Sequence, residues 1–235
     1  MGDPQTTGMG LGSLLAELSA FGLAIGFSPI HIGLLLLLLL GPKPLQRGGW
    51  FVVGWLATAA LAVILLLTVG HGLLLSMDKG TSHRTGLDLL AAGALLGLGL
   101  KELLGTKEES APPGWTSKLD SFCAMPLPLL LGISGLLEVA SPDDLFLFAK
   151  TAGSLLSADL PKSQELLATG LFSLVSGALL LAPLVALLLV GKERVLPLLE
   201  NGKSWLFAKG DLLVGLVSIA LAIYLGWQGI GGLQA

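Results

Sequence analysis

The chain has 235 residues, 53% of them hydrophobic and only 12% charged, with a formal net charge of −3. An ordinary soluble domain carries about 25% charged residues, and here the apolar residues form long runs, such as Ile32 to Leu40 and Leu61 to Val69, instead of amphipathic stripes. A water-solvated globular domain is excluded, and so is a nucleic-acid partner, because no cluster of Lys and Arg is interleaved with aromatics.

A membrane span needs about 20 apolar residues, and that criterion predicts an all-α polytopic membrane protein with six transmembrane helices in a single membrane domain, residues 1–235. The first helix covers residues 12–40. The dozen residues before it hold no Lys or Arg, so the basic region of a cleavable signal peptide is missing and the segment is expected to stay as a helix. Glu17 is expected at its interface, and Ser28-Pro29 breaks its middle, followed by His31. A Gly41-Pro42-Lys43-Pro44 turn leads to the second helix, 49–76, and residues 77–84 lead to the third, 86–104. The connector from Lys101 to Asp120 contains Pro112-Pro113-Gly114. Cys123 is the only cysteine, so the chain alone builds no disulfide or dithiol couple, and packing is its expected role. The fourth helix, 126–155, breaks at Ser141-Pro142 and holds Glu138, Asp143, Asp144 and Lys150; the fifth covers 165–190 and the sixth 209–230.

Lys43, Arg47, Lys101, Lys107, Lys118, Lys192, Arg194, Lys203 and Lys209 fall in the first, third and fifth connectors. The opposite side, which carries both termini, has Lys79, Arg84 and Lys162. Basic connectors face the cytoplasm, so both termini are expected outside it, in a multi-pass protein of a bacterial inner membrane or its equivalent. Trp50, Trp115 and Trp205 flank the basic connectors as an interfacial aromatic belt would.

Two features recur in order. Gly26-Phe27-Ser28-Pro29-Ile30-His31 matches Val139-Ala140-Ser141-Pro142-Asp143-Asp144, and Asp-Leu-Leu opens the third helix of each half, at Asp88 and Asp211. The pattern predicts two three-helix repeats, 12–104 and 126–230. Three spans per half is odd, so the second half is inverted. A proline in a helix frees backbone groups, which lipid cannot satisfy, so the break must face protein or a watery cavity. One such kink merely shapes a bundle; a matched pair points to a central site lined by Ser28, Pro29, His31, Glu138, Ser141, Pro142, Asp143 and Asp144.

Charged side chains within a span cost about 2.5–3.5 kcal/mol each on insertion scales, so the four in the fourth helix need a reason. Glu138 precedes Pro142 by four residues and shares its helix face. Close carboxylates suit proton or cation exchange; the alternative for Asp143 and Asp144 is to serve as N-caps of the second half-helix. His31 holds the place after Pro29 that Asp144 holds after Pro142, which would let imidazole and carboxylate relay a proton, unless His31 is a packing residue. Ser28 and Ser141 either line the site or bond their own backbone. Lys150 is expected to snorkel to the interface. His71 and His83 have no zinc-type spacing, and no phosphate loop, dinucleotide fingerprint or nucleophile elbow is present. The sequence therefore implies no enzyme, no cofactor and no resident metal.

Three stretches, Gly26 to Gly54, Asp120-Ser121-Phe122 and Gly132 to Leu147, and more loosely the rest of the chain, resemble the LysE transporter superfamily, and more closely its Sap/GAP branch, the sulfolipid and peptidoglycolipid addressing proteins. The resemblance implies a small exporter of three-plus-three architecture, linked in that branch to outward movement of lipid-like or peptidic envelope molecules. Where the branch has an Asn-Pro-Lys type turn, this chain has Ser141-Pro142-Asp143-Asp144. The acidic replacement favours a cation, an amine or a proton at that place.

The leading expectation is a secondary transporter, an exporter of a small molecule, cation or envelope lipid-related compound driven by a proton or cation gradient. Its partners are then the bilayer, the substrate and, through small-residue faces such as Gly93 to Gly99, a second copy or a membrane complex. The alternative is a non-transporting scaffold or assembly factor that docks a membrane complex through the 101–120 connector. A divalent-metal exporter using Glu138, Asp143 and Asp144 is a further variant; a paired-cysteine electron carrier fails for want of a second cysteine.

Overall fold

The structure, a computed structural model, describes residues 11–72, 81–104, 122 and 124–234, apart from the side chains of Phe207 and Asp211. The described residues are helical with no strand: α1 (Leu11–Gly26), α2 (Pro29–Leu40), α3 (Pro44–Gly72), α4 (Ser82–Leu104), α5 (Leu127–Val139), α6 (Pro142–Ser157), α7 (Lys162–Ser176), α8 (Ala178–Val190) and α9 (Lys192–Leu233). Trp115, Cys123 and most of the 101–120 connector lie outside the described residues.

Two continuous helices are long and apolar enough to cross a membrane, α3 and residues Leu212–Leu233 of α9. Two more crossings arise if the bent pairs α1–α2 and α7–α8 each count as one span, the first bent by 63° and the second by 67°. The surface suits lipid: Trp227 is 81% exposed and Leu189 76%, and large contiguous apolar surface is rare on soluble monomers. Trp50 and Trp205 are also exposed. The other two predicted spans, α4 and α5–α6, carry Arg84, Asp88, Lys101 and Glu102 and then Glu138, Asp143, Asp144 and Lys150.

The helix ends depart from expectation in two places. The predicted fifth helix is broken at Gly177, because Ser176-Gly177 is a small flexible pair of the kind that kinks helices. Ser176 Oγ donates to the Ser173 carbonyl at 2.8 Å beside it, and Pro183 inside α8 removes a further backbone donor. The predicted 191–203 connector is instead helical: Gly191, at φ 88°, starts a helix that runs unbroken from Lys192 to Leu233.

α3 lies centrally, against α2, α5, α6, α7 and α8, while α4 packs most extensively along α9. α1 and α2 contact α8, with α1 also against α7, as α5 and α6 contact α3. The intimate crossings use glycine. A Cβ on Gly54 would run into the backbone carbonyl of Leu131, and one on Gly26 into that of Ser176; α4 and α9 meet where Gly99 faces the Gly215 carbonyl. Such contacts let backbones approach and replace the hydrophobic drive that is missing between helices in lipid. Gly54→Ala is therefore expected to destabilise the detergent-solubilised protein by about 1–3 kcal/mol, the range for overpacking. Gly97→Ala, where a Cβ would meet nothing, should leave the melting temperature unchanged or raise it; equal losses at both sites would refute the close crossing.

Candidate functional site

The two Ser-Pro breaks have the same backbone form. Ser28 sits at φ −99°, ψ 105° and Ser141 at φ −85°, ψ 112°, each extended and each followed by a proline in the first turn of the next helix. Proline is pre-set for that position and its missing donor is not needed there. Backbone bonding resumes at once on both sides: Ile32 N donates to the Ser28 carbonyl at 2.9 Å and Leu145 N to the Ser141 carbonyl at 3.1 Å. Glu138, four residues before Pro142, has its carbonyl taken by Ser141 N at 3.3 Å.

The serine hydroxyls bond forward along the chain. Ser28 Oγ lies 2.8 Å from His31 Nδ1, and Ser141 Oγ donates to Asp143 Oδ1 at 2.8 Å. His31 is buried, with its ring edge-on to Trp55 at 4.3 Å between centroids. Its Nε2 is 3.2 Å from the Ser134 carbonyl. A carbonyl only accepts, so Nε2 carries the hydrogen, and in the neutral ring Nδ1 accepts from the Ser28 hydroxyl. Trp55 in turn donates to Ser176 Oγ at 3.3 Å, and Ser173 Oγ donates to the Leu56 carbonyl at 2.7 Å. A polar seam thus runs from the first break through α3 to the kink at Gly177.

Glu138 is fully buried, and neither carboxylate oxygen has a hydrogen-bond partner. Ser134, one turn earlier on the same face, is also fully buried with its hydroxyl unpartnered, as is Thr151 on α6. Asp144 is buried within electrostatic range of Glu138. Native proteins rarely leave such groups unsatisfied.

Of the residues expected at the site, His31, Glu138 and Asp144 turn inward, and Ser28 and Ser141 hold the turns. Pro142 is exposed and Pro29 half-buried, and each serves as the first residue of a helix. His31 binds Ser28 and the Ser134 carbonyl, so the partner across the halves is the Ser134 turn of α5 rather than Asp144. Asp143 is half-buried in the first turn of α6, where a negative charge is favoured; the N-cap itself is Ser141. Among the described residues no three His, Cys, Asp or Glu side chains converge as a metal group, so Glu138, Asp143 and Asp144 do not make the divalent site weighed for them. A groove of about 510 Å³ lies beside the first break, lined only by apolar residues including Leu23 and Ala24 of α1, Phe27 in the break itself, and Val217 and Leu221 of α9.

A second polar centre was not foreseen. Lys150 is buried and ion-paired with Asp88 of α4, so it does not snorkel. Glu17 is buried too, accepting from Ser154 Oγ at 3.1 Å and lying 3.7 Å from Arg84 Nη2, so it is not interfacial. Arg84 also donates to Ser157 Oγ at 2.9 Å and belongs to the core rather than to a connector. The spacing carried a signal: Arg84 and Asp88 are four apart on α4, and Lys150, Ser154 and Ser157 lie at i, i+4 and i+7 on α6, one face each.

Comparison with curated proteins and with solved structures returns no match. The family model of Sap, sulfolipid-1-addressing protein, matches residues 18–231, which take in both helix breaks and every residue of the two polar centres except Glu17. The chain therefore belongs to the Sap, sulfolipid-1-addressing protein, family.

Proposed function

We propose that this protein is a secondary exporter that moves a lipid-like envelope compound outward and draws on a proton or cation gradient through Glu138. The reading rests on one observation above the others: a fully buried carboxylate with both oxygens unpartnered stands beside a helix break that has a backbone twin in the other half. An intramembrane acid of this kind marks an ion or substrate path by default. The apolar groove at Phe27 gives an acyl chain a place beside the first break, and the family's name supplies the lipid class. Glu138 and Asp144 would take and release the coupling ion, with Ser134 as a further oxygen; His31, held by Ser28, ties α2 to α5. No covalent chemistry is assigned to these groups.

The arrangement proposed is six crossings in two inverted halves, α1–α4 and α5–α9. Its support is the reciprocal packing, α5 and α6 on α3 answered by α1 and α2 on α8 and α1 on α7, with α4 against α9. Burial of Arg84 takes it out of the basic surface on the side of the termini, in line with the expected orientation. In a Cys123→Ser background, a membrane-impermeant maleimide should label Lys162→Cys in intact cells and Lys192→Cys only after permeabilisation. The reverse pattern would invert the topology.

Transport is tested by comparing surface-extractable envelope lipids in cells lacking the protein, in cells restored with it, and in cells carrying Glu138→Gln at equal protein level. The expectation is accumulation inside the cell without the protein, rescue by the native chain and a loss of at least about tenfold in export rate for Glu138→Gln, about 1.4 kcal/mol. Full rescue by Glu138→Gln together with Asp144→Asn would remove the coupling role. An unchanged lipid distribution in the deletion, with stable co-purification of one membrane complex, would favour the scaffold instead.

A further inference from the structure

The charged centre formed by Glu17, Arg84, Asp88 and Lys150 is not used by the site at the breaks. It lies at the end of the bundle where α1, α4 and α7 begin and α3, α6 and α9 finish. Three of its four contacts join the two halves: Lys150 to Asp88, Ser154 to Glu17 at 3.1 Å, and Arg84 to Ser157 at 2.9 Å. At the same end His71 Nε2 of α3 meets Glu165 Oε1 of α7 at 2.9 Å, again across the halves. At the opposite end, around Leu39, Phe51 and Leu130, buried apolar side chains pack together, and Arg47 bonds the Met125 carbonyl across the halves.

We infer that this network is the latch that closes the pathway at the end bearing the chain termini, and that it parts when the protein opens to that side. In a bundle that never opens, a buried ion pair adds little stability over apolar side chains of equal volume and serves chiefly to set register. In a seam that opens, the balance differs. Parting an apolar face would expose hydrocarbon to water, whereas carboxylates, an ammonium and a guanidinium regain hydration as they separate. The contacts are also discrete and cross-half, as a two-state element requires. Ser154 and Ser157 complete the set by joining both acid and base to α6 without adding charge. The inference rests on the transporter reading above for its purpose, though opening itself can be measured without a substrate.

The test uses the full chain in proteoliposomes, with Cys123→Ser and a reporter at Thr151→Cys, a fully buried position next to Lys150. A membrane-impermeant maleimide on the terminus side should label the parent slowly. Asp88→Asn should raise the labelling rate at least about tenfold, a modest shift in a two-state equilibrium. Ser154→Ala with Ser157→Ala, which leaves no bare charge behind, should raise it about threefold. The exchange Asp88→Lys with Lys150→Asp should return it toward the parent value. Rates within about twofold of the parent in both weakened variants, in protein that elutes as a folded species, would overturn the latch, as would lowered thermal stability with no change in labelling. If Asp88→Asn does not fold, the serine pair alone decides. A protein that opens under these changes yet moves no lipid would keep the latch and overturn only the transport reading.

Discussion

An ammonium group inside a bundle bounded by hydrocarbon has no water to fall back on, so the position of Lys150 dictates where two other helices must stand. Asp88 has to reach it from α4, Glu17 and Arg84 have to close around it from α1 and α4, and α6 has to present Ser154 and Ser157 on the same face. Removing one partner of such a buried pair typically costs about 3–5 kcal/mol, because the other charge is left bare. The network therefore fixes the register of α6 against α1 and α4 more sharply than the surrounding leucines can. Apolar contacts tolerate a slide of one turn, and a charge without its partner does not.

Helices in lipid gain little from burying apolar surface against one another, so closeness must come from side chains that are small. Gly54 on Leu131, Gly26 on Ser176 and Gly99 on Gly215 bring backbones nearly into contact at the three main crossings. The breaks depend on this. An extended Ser28 or Ser141 is tolerable in an apolar setting only because protein surrounds it and the adjacent backbone groups find partners within a residue or two. Gly26 stands immediately before one break, and the Ser134–Glu138 turn immediately before the other, so tight packing and backbone irregularity occupy the same level of the bundle.

Much of this was legible in residue order. Long apolar runs announced the helices, and the two Ser-Pro pairs announced breaks whose backbones prove alike. What escaped has physical causes. The kink at Gly177 has no proline of its own and arises from a Ser-Gly pair leaning on Leu56. The 191–203 stretch contains Gly, Pro and charges, the composition of a loop, yet its Lys, Glu, Arg and Leu residues are good helix formers and continue into α9. The partner of His31 could not be read from sequence, since symmetry pairs positions and not hydrogen-bond donors with acceptors; the Ser134 carbonyl won because backbone acceptors are everywhere. Lys150 and Glu17 were misplaced because a single charged residue in a span looks the same whether it reaches outward to water or inward to a partner.

α6 carries groups of both polar centres. Asp144 stands in its first turn beside Glu138, and Lys150 and Ser154 follow on the way to its other end. Six residues of helix separate Asp144 from Lys150, about 9 Å at 1.5 Å per residue. A helix of this length moves as one piece, so a displacement at the break is carried to the ion pair without any relay of side chains between them. In the mechanism proposed above, Ser141, whose extended backbone joins α6 to α5, would be the pivot. The asymmetry between the halves then has a use. In the exporter proposed above, the first break, with Ser28 and His31 bonded to neighbours, would be the fixed wall, and the acidic second break the place where an ion alters the balance of charge. On that proposal, an acid at the start of the helix that holds the latch would let loading at one end and release at the other become a single event.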